Sequence, residues 1–295
     1  MYSKILVALD GSKTAEHILP YARLLAKKLH LSAELVQVID SDKLMPDNVD
    51  PEQESRVATK KKNIEEYLNS TAGSFPDRSS FTVKVGHPAE IIVDQAAAAP
   101  ETLVAMTTHG RSGIHRWFLG SVADKVLHAA RNPLLLIRAN ETGAPSGPEL
   151  RSILVPLDGS ELAESVLPHV VELAGKLDVE VLLVRIFNLP NLYSDEMYVL
   201  DERTWELIRD EAQQYLNGKV RELKAKGLPH VKSVLLEGFA ADRIITFARE
   251  MPGILIAICT HGRSGVRRWV LGSVTDRVVR HSGDPVLIIR APGAA

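Results

Sequence analysis

At 295 residues, with 45% hydrophobic and 24% charged residues, the chain has the composition of a soluble globular protein and the length for two domains of roughly 150 residues each. A formal net charge of -2 excludes a global electrostatic pull toward nucleic acid or anionic lipid, and the single cysteine, Cys259, excludes an internal disulfide or a cysteine-rich metal site. No apolar run approaches the roughly 20 residues that span a bilayer, and MYSKILVALD lacks the pattern of a signal peptide, so a cytoplasmic protein without nucleic-acid or membrane partners is expected.

In chain order, KILVALDGS opens with a continuous apolar run of the kind found in strands buried on both faces, and AEHILPYARLLAKKL follows with helical spacing. Pro20, inside that pattern, is expected to kink or offset the helix. A second strand reads at AELVQVI, a helix lies in the variable region beyond it, and a third strand reads at SFTVKV. A helix at PAEIIVDQAAA, a fourth strand at TLVAMT, a helix opening at Gly120-Ser121 and a fifth strand at PLLLIR complete the half. The segment ANETGAPSGPEL has no periodicity and reads as a linker.

The same succession then recurs as SILVPLDGS, AESVLPHVVELAGKL (with Pro168), EVLLVRI, a helix, KSVLLE, ADRIITFARE, ILIAICT and PVLIIR. In the variable helix, Trp205, Ile208, Ala212, Tyr215, Leu216 and Leu223 mark one buried face. THGRSGIHRWFLGSVADKVL from Thr108 returns from Thr260, with 19 of 32 positions identical. Asp10 and Asp158 differ by 148, while Gly86 and Gly238, like Gly120 and Gly272, differ by 152, so four residues entered the second half between its second strand and Gly238. Strands alternating with helices predict right-handed crossovers and a doubly wound sheet in each half.

The glycine-rich stretch begins just beyond the carboxyl end of the fourth strand, where open α/β sheets bind ligands. Gly110, Gly113 and Gly120 let the backbone approach a ligand, and the free amides of the helix starting at Ser121 favour an anion such as phosphate. The other phosphate loops do not fit, since neither G-x-x-x-x-G-K-[ST] nor a G-x-G-x-x-G after the first strand is present. An ordinary loop and helix cap remains the alternative, as it does for Asp10 and Asp158, whose D-G-S also makes a strand-to-helix turn with Ser12 or Ser160 as cap.

On these motifs the halves resemble tandem universal stress protein domains, a family whose ATP-binding members carry G-x2-G-x9-G-[ST] after the fourth strand and an Asp at the end of the first. Gly110 with Gly120-Ser121, and Gly262 with Gly272-Ser273, match that spacing. The resemblance implies two Rossmann-like, adenine nucleotide alpha hydrolase-like α/β domains, each a five-stranded parallel sheet of order 3-2-1-4-5 flanked by helices. They are expected at 1–139 and 151–292, joined by a linker at 140–150. It further implies ATP, AMP or ADP as ligand, with magnesium as an accompanying ion. Asp10 and Asp158 would hold the ribose or base, and Val38 and Ile186 would line the adenine. Gly110, Gly120, Ser121 and Val122, with Gly262, Gly272, Ser273 and Val274, would cradle phosphates. The first glycine of the pattern is replaced by Thr107 and Cys259, whose side chains would narrow the pocket.

His109 and His261 are expected to be satisfied by loop hydrogen bonds rather than to act in acid-base chemistry, and Cys259 to be an inert thiol. Arg111, Arg116, Arg263, Arg267 and Arg268 read as solvated, and Trp117 and Trp269 as packing anchors. Lys13, where the second half has Glu161, would favour a polyphosphate in the first half. The expected protein is a nucleotide-binding sensor or regulator of the stress response, with at most slow ATP hydrolysis. Its domains would form an intramolecular pseudo-dimer through their fifth strands, open to homo-oligomers or a regulatory protein partner. The alternative is a nucleotide-free scaffold of the same fold that engages a partner through SDKLMPDNVDPE and NLPNLYSDEMYVLD; an adenylate-handling enzyme would need a second substrate pocket.

Overall fold

The computed structural model describes residues 1–43, 51–76, 78–109, 119–139, 148–187, 202–262 and 271–291. The chain divides into two units, Met1–Pro148 and Glu149–Ala295. The first contains β1 (Lys4–Leu9), a 3-10 turn (Ala15–Ile18), α1 (Leu19–Leu29), β2 (Ser32–Asp40), α2 (Pro51–Ala72), β3 (Ser79–Gly86), α3 (Pro88–Ala97), β4 (Thr102–Thr107), α4 (Ser121–Ala129) and β5 (Leu134–Ile137). The second contains β6 (Ser152–Pro156), α5 (Glu161–Glu164), α6 (Leu167–Leu177), β7 (Glu180–Phe187), α7 (Glu202–Ala225), β8 (Val231–Glu237), α8 (Ala240–Arg249), β9 (Ile254–Cys259), α9 (Ser273–His281) and β10 (Val286–Ile289).

In the first unit the strands run β3-β2-β1-β4-β5, and in the second β8-β7-β6-β9-β10. Every pairing within a unit is parallel. This is the order 3-2-1-4-5 in each half. All residues of β4, β5, β9 and β10 are buried, as strands covered on both faces require, whereas β3 and β8 are the more exposed edges. Among the described residues no helix is long and apolar enough to cross a membrane.

The prolines divide a helix rather than bend one. Pro20 and Pro168 stand in the first turns of α1 and α6, just after the Ala15–Ile18 turn and α5. There the missing N–H would have had no partner in any case. Along α7, Ala212, Leu216 and Leu223 are buried as expected, but Ile208 is 38% exposed and its neighbour Leu207 69%. A 24-residue helix is about 36 Å long while the seven residues of β8 span about 23 Å, so the first turns of α7 overshoot the sheet.

The fifth strands differ at their entry. Before β5, the Asn132 amide donates to the carbonyls of Ala99, Pro100 and Thr102. The matching residue before β10 is Asp284, whose buried Oδ2 has no partner. Burial pushes its carboxyl up to about 6 from 3.8, although Arg249 opposes the shift. The folded chain therefore keeps a proton that the unfolded chain releases, and stability falls as pH rises through this window. Asp284→Asn is expected to raise the melting temperature above about pH 6, with the advantage shrinking toward pH 4; melts across that range showing no pH-dependent gain would refute it.

Candidate functional site

The carboxyl end of β1 turns through Asp10-Gly11-Ser12. Asp10 Oδ1 accepts from the Ser12 amide at 2.9 Å and from its hydroxyl at 2.6 Å, and Ser12 Oγ in turn accepts from the Ala15 amide. Gly11 has φ of 78°, a left-handed conformation that favours glycine. After β6, Asp158 Oδ1 makes the same two bonds to Ser160, at 2.9 and 2.6 Å, with Ser160 capping α5 and Gly159 at φ 87°. The turn chemistry read from D-G-S thus accounts for one carboxylate oxygen in each domain.

Beyond β4, Gly120 is the extended residue before α4 and its amide donates to the Thr108 carbonyl at 2.8 Å. A Cβ on Gly120 would meet that carbonyl oxygen at 3.0 Å, so glycine permits the loop to close on itself. Gly272 repeats this against Thr260, where a Cβ would come within 2.8 Å. Neither glycine supplies a side-chain cap, and the first amides of α4 and α9 have no acceptor within their own helices.

In the first domain these pieces enclose a cavity of about 420 Å³. Asp10, Val38, Gly120, Ser121 and Val122 all line it. Pro88 and Ile92 of α3, Met106, and Lys60 and Ile64 of α2 complete much of the rest. Its size falls within the range of small-molecule sites. Thr107 stands in the wall without filling the space, because its hydroxyl donates to the His109 carbonyl at 2.7 Å.

Among the described residues, two buried polar atoms of wall residues have no hydrogen-bond partner: Gln37 Oε1 and His109 Nε2. His109 Nδ1 meets the Thr108 hydroxyl at 3.0 Å, so the loop satisfies only half of the ring. Burial, with Arg138 nearby, lowers the His109 pKa and keeps the imidazole neutral. Tyr67, in a side chamber that shares Gln37, Lys60 and Ile64 with the cavity, has its hydroxyl pushed up to about 12 by burial and then by the Glu16 carboxylate.

Across the second domain, Asp158 and Gly262 are brought together: a Cβ on Gly262 would fall 2.2 Å from Asp158 Oδ2. Ile186 lies near the end of β7, and Gly272, Ser273 and Val274 open α9. His261 repeats the Nδ1 contact to Thr260 and the unpartnered Nε2. Cys259 is 4% exposed, with Sγ 3.3 Å from the Ser165 hydroxyl.

Gly110, Trp117, Trp269 and the arginines at 111, 116, 263, 267 and 268 lie outside the described residues, as does most of each long loop assigned to a protein partner. Lys13 is 92% exposed at its side chain and paired with Glu16 at 3.0 Å; the lysine in the cavity wall is Lys60. Lys60 and Gln37 escaped the sequence reading because no motif surrounds them. Their only signal is register: one precedes Val38, and the other lies one helical turn before Ile64.

Near the cavity mouth, ligand atoms of Asp40, Asp42 and His87 lie within 4.8 Å of one another. Two carboxylates and an imidazole suit a transition ion better than magnesium, which prefers oxygen. The 3.5 Å contact between His87 Nδ1 and Asp42 Oδ1 explains the cluster as an exposed pair, and no metal is assigned.

The family model described as Universal stress protein family matches residues 1–138 and 149–290. The universal stress protein MJ0531 of Methanocaldococcus jannaschii is 30% identical over 146 residues, covering 48% of this chain and 83% of its own length. MJ0577 of the same organism, also named a universal stress protein, is 27% identical over 154 residues, covering 48% of this chain and 94% of its own length. A solved universal stress protein from Archaeoglobus fulgidus matches in fold with a TM-score of 0.70 at 18% identity, covering 97% of this chain and 98% of its own. With two matched domains and the strand order found in each, the chain belongs to the universal stress protein family, in tandem two-domain form.

Proposed function

We propose that the first domain binds an adenine nucleotide, ATP or its mono- or diphosphate, and that occupancy regulates the protein rather than feeding rapid turnover. The observation that carries this reading is Gln37 Oε1, buried and unpartnered in the wall of a cavity that ends at the open amides of α4. An unpaired buried acceptor costs about 1–3 kcal/mol, which a ligand donor such as an amino or hydroxyl group would relieve. The family membership supports the class of ligand.

In this reading Asp10, which lines the cavity, accepts hydrogen bonds from ribose hydroxyls. Val38 packs against the base. Gly120, Ser121 and Val122 hold phosphate through backbone amides and the Ser121 hydroxyl, with Gly110 as the remaining glycine of the motif. Lys60 adds a positive charge to the wall. Asp158, Ile186, Gly262, Gly272, Ser273 and Val274 hold the equivalent positions of the second domain.

A ligand that binds the folded chain stabilises it, and one that prefers a particular conformation or assembly shifts that equilibrium; either would make occupancy a signal. A regulatory protein partner or a further copy of the chain would read that state.

Calorimetric titration of the nucleotide-stripped protein with ATP, with and without magnesium, is expected to give saturable binding and a raised melting temperature. No heat at several temperatures, together with an unmoved melting temperature, would replace this reading with the nucleotide-free scaffold. Asp10→Asn is expected to weaken ATP about 10- to 100-fold, the scale of losing hydrogen bonds to a charged acceptor. Lys60→Ala should weaken ATP more at low than at high salt, because a partly exposed charge is screened; a salt-independent effect would assign Lys60 to packing instead.

A further inference from the structure

The two domains share their turns and glycine loops but differ in side chains beside their candidate sites. Gln37 follows β1 register through its pairing with Leu9, and the same place on β7 holds Arg185, one residue past the Val184 that pairs with Pro156. The helices carry the comparison outward. Tyr67 of α2 lies in the field of Glu16 and Asp10, and Tyr215 of α7 in that of Glu164 and Asp158, so both tyrosines keep the offset of 148. Lys60 then corresponds to Ile208, and His87, beside Gly86, corresponds to Phe239.

Arg185 is only 8% exposed, and its guanidinium carbon lies 4.9 Å from the centre of the Tyr215 ring. The Tyr215 hydroxyl donates to Glu164 at 2.8 Å, and Lys219 reaches the other oxygen of Glu164 at 2.6 Å and Glu222 at 3.1 Å. A buried guanidinium stays charged and stacks well on an aromatic face, so this arrangement holds it firmly. Where the first domain has an unpartnered amide oxygen at the cavity wall, the second has a longer cation already engaged inside the protein.

Asp158 is half-buried; its Oδ1 serves the Ser160 turn, and Gly262 stands close enough to Oδ2 that a Cβ there would clash with it. Arg185 stacks on the Tyr215 ring, and it and Asp158 both act electrostatically on the Tyr215 hydroxyl. The strand order puts β7 beside β6 and away from β9, so Arg185 stands at the base and ribose end rather than at the phosphate end beyond β9. The cation is therefore poorly placed to serve a phosphate and well placed to exclude the nucleoside.

We infer that Arg185 is a specificity-determining residue that fills the nucleoside end of the second domain's cleft, leaving the first domain as the single adenine-nucleotide site of the chain. This rests on the nucleotide reading of the first domain. The second domain then carries a permanently closed copy of the site, held shut by its own side chain.

The test is ATP titration, with magnesium, of the full chain and of two exchanges between the halves, Arg185→Gln and Gln37→Arg, with circular dichroism and melting curves to establish that each is folded. The expected stoichiometries are about one for the natural chain, about two for Arg185→Gln, and none for Gln37→Arg. About two sites in the natural chain would overturn the inference while leaving the nucleotide reading intact. One site in both the natural chain and Arg185→Gln, or undiminished binding by Gln37→Arg, would equally overturn it. No binding by any of the three would end the nucleotide reading itself, and the inference with it.

Discussion

The parallel pairing of β1 with β2 on one side and β4 on the other is the constraint on which the candidate site depends. The chain runs from β1 to β2 and β3 on one side and returns from β3 to β4 on the other, and right-handed crossovers then carry the helices to opposite faces. The chain must therefore part at the carboxyl ends of these strands, opening a crevice between the Asp10 turn and the loop before α4. Because β4 and β5 are buried along their whole length, the floor of that crevice is fixed by the core, and only its rim is free to vary.

That division appears in what the two halves keep and what they change. The Asp-Gly-Ser turn, with its paired hydrogen bonds to one carboxylate oxygen, is the same in both to within the distances observed. So is the closure of Gly120 on Thr108 and of Gly272 on Thr260. The halves differ, among other positions, at Gln37 against Arg185, Lys60 against Ile208, His87 against Phe239 and Asn132 against Asp284. Backbone geometry sets the shared turns, so they tolerate little drift, whereas a wall side chain can change without disturbing the sheet.

Polar groups at the crevice are used economically. Thr107 replaces a motif glycine without filling the first cavity because its hydroxyl bonds back to its own loop. His109 is half satisfied and held neutral, while Gln37 Oε1 is buried beside the cavity without a hydrogen-bond partner among the described residues. In the second domain the corresponding demand is met internally, since Arg185, Tyr215, Lys219 and Glu164 answer one another.

The sequence by itself determined the duplication and the alternation of strands with helices, because apolar runs, glycine turns and helix starts are local signals with local causes, whereas the strand order and the gathering of Asp10, Val38, Gly120 and Ser121 were implied by the family resemblance its motifs carry. Tertiary structure alone decided which side chains complete the wall. Gln37 and Lys60 are brought to Asp10 by strand register and helix docking over long separations, and nothing in their neighbours announces it. It also decided that Lys13 points away to Glu16, that Ile208 lies beyond the sheet, and that Pro20 begins a helix instead of bending one. Each depends on how far an element extends before it meets another, a distance in space that residue spacing along the chain does not encode.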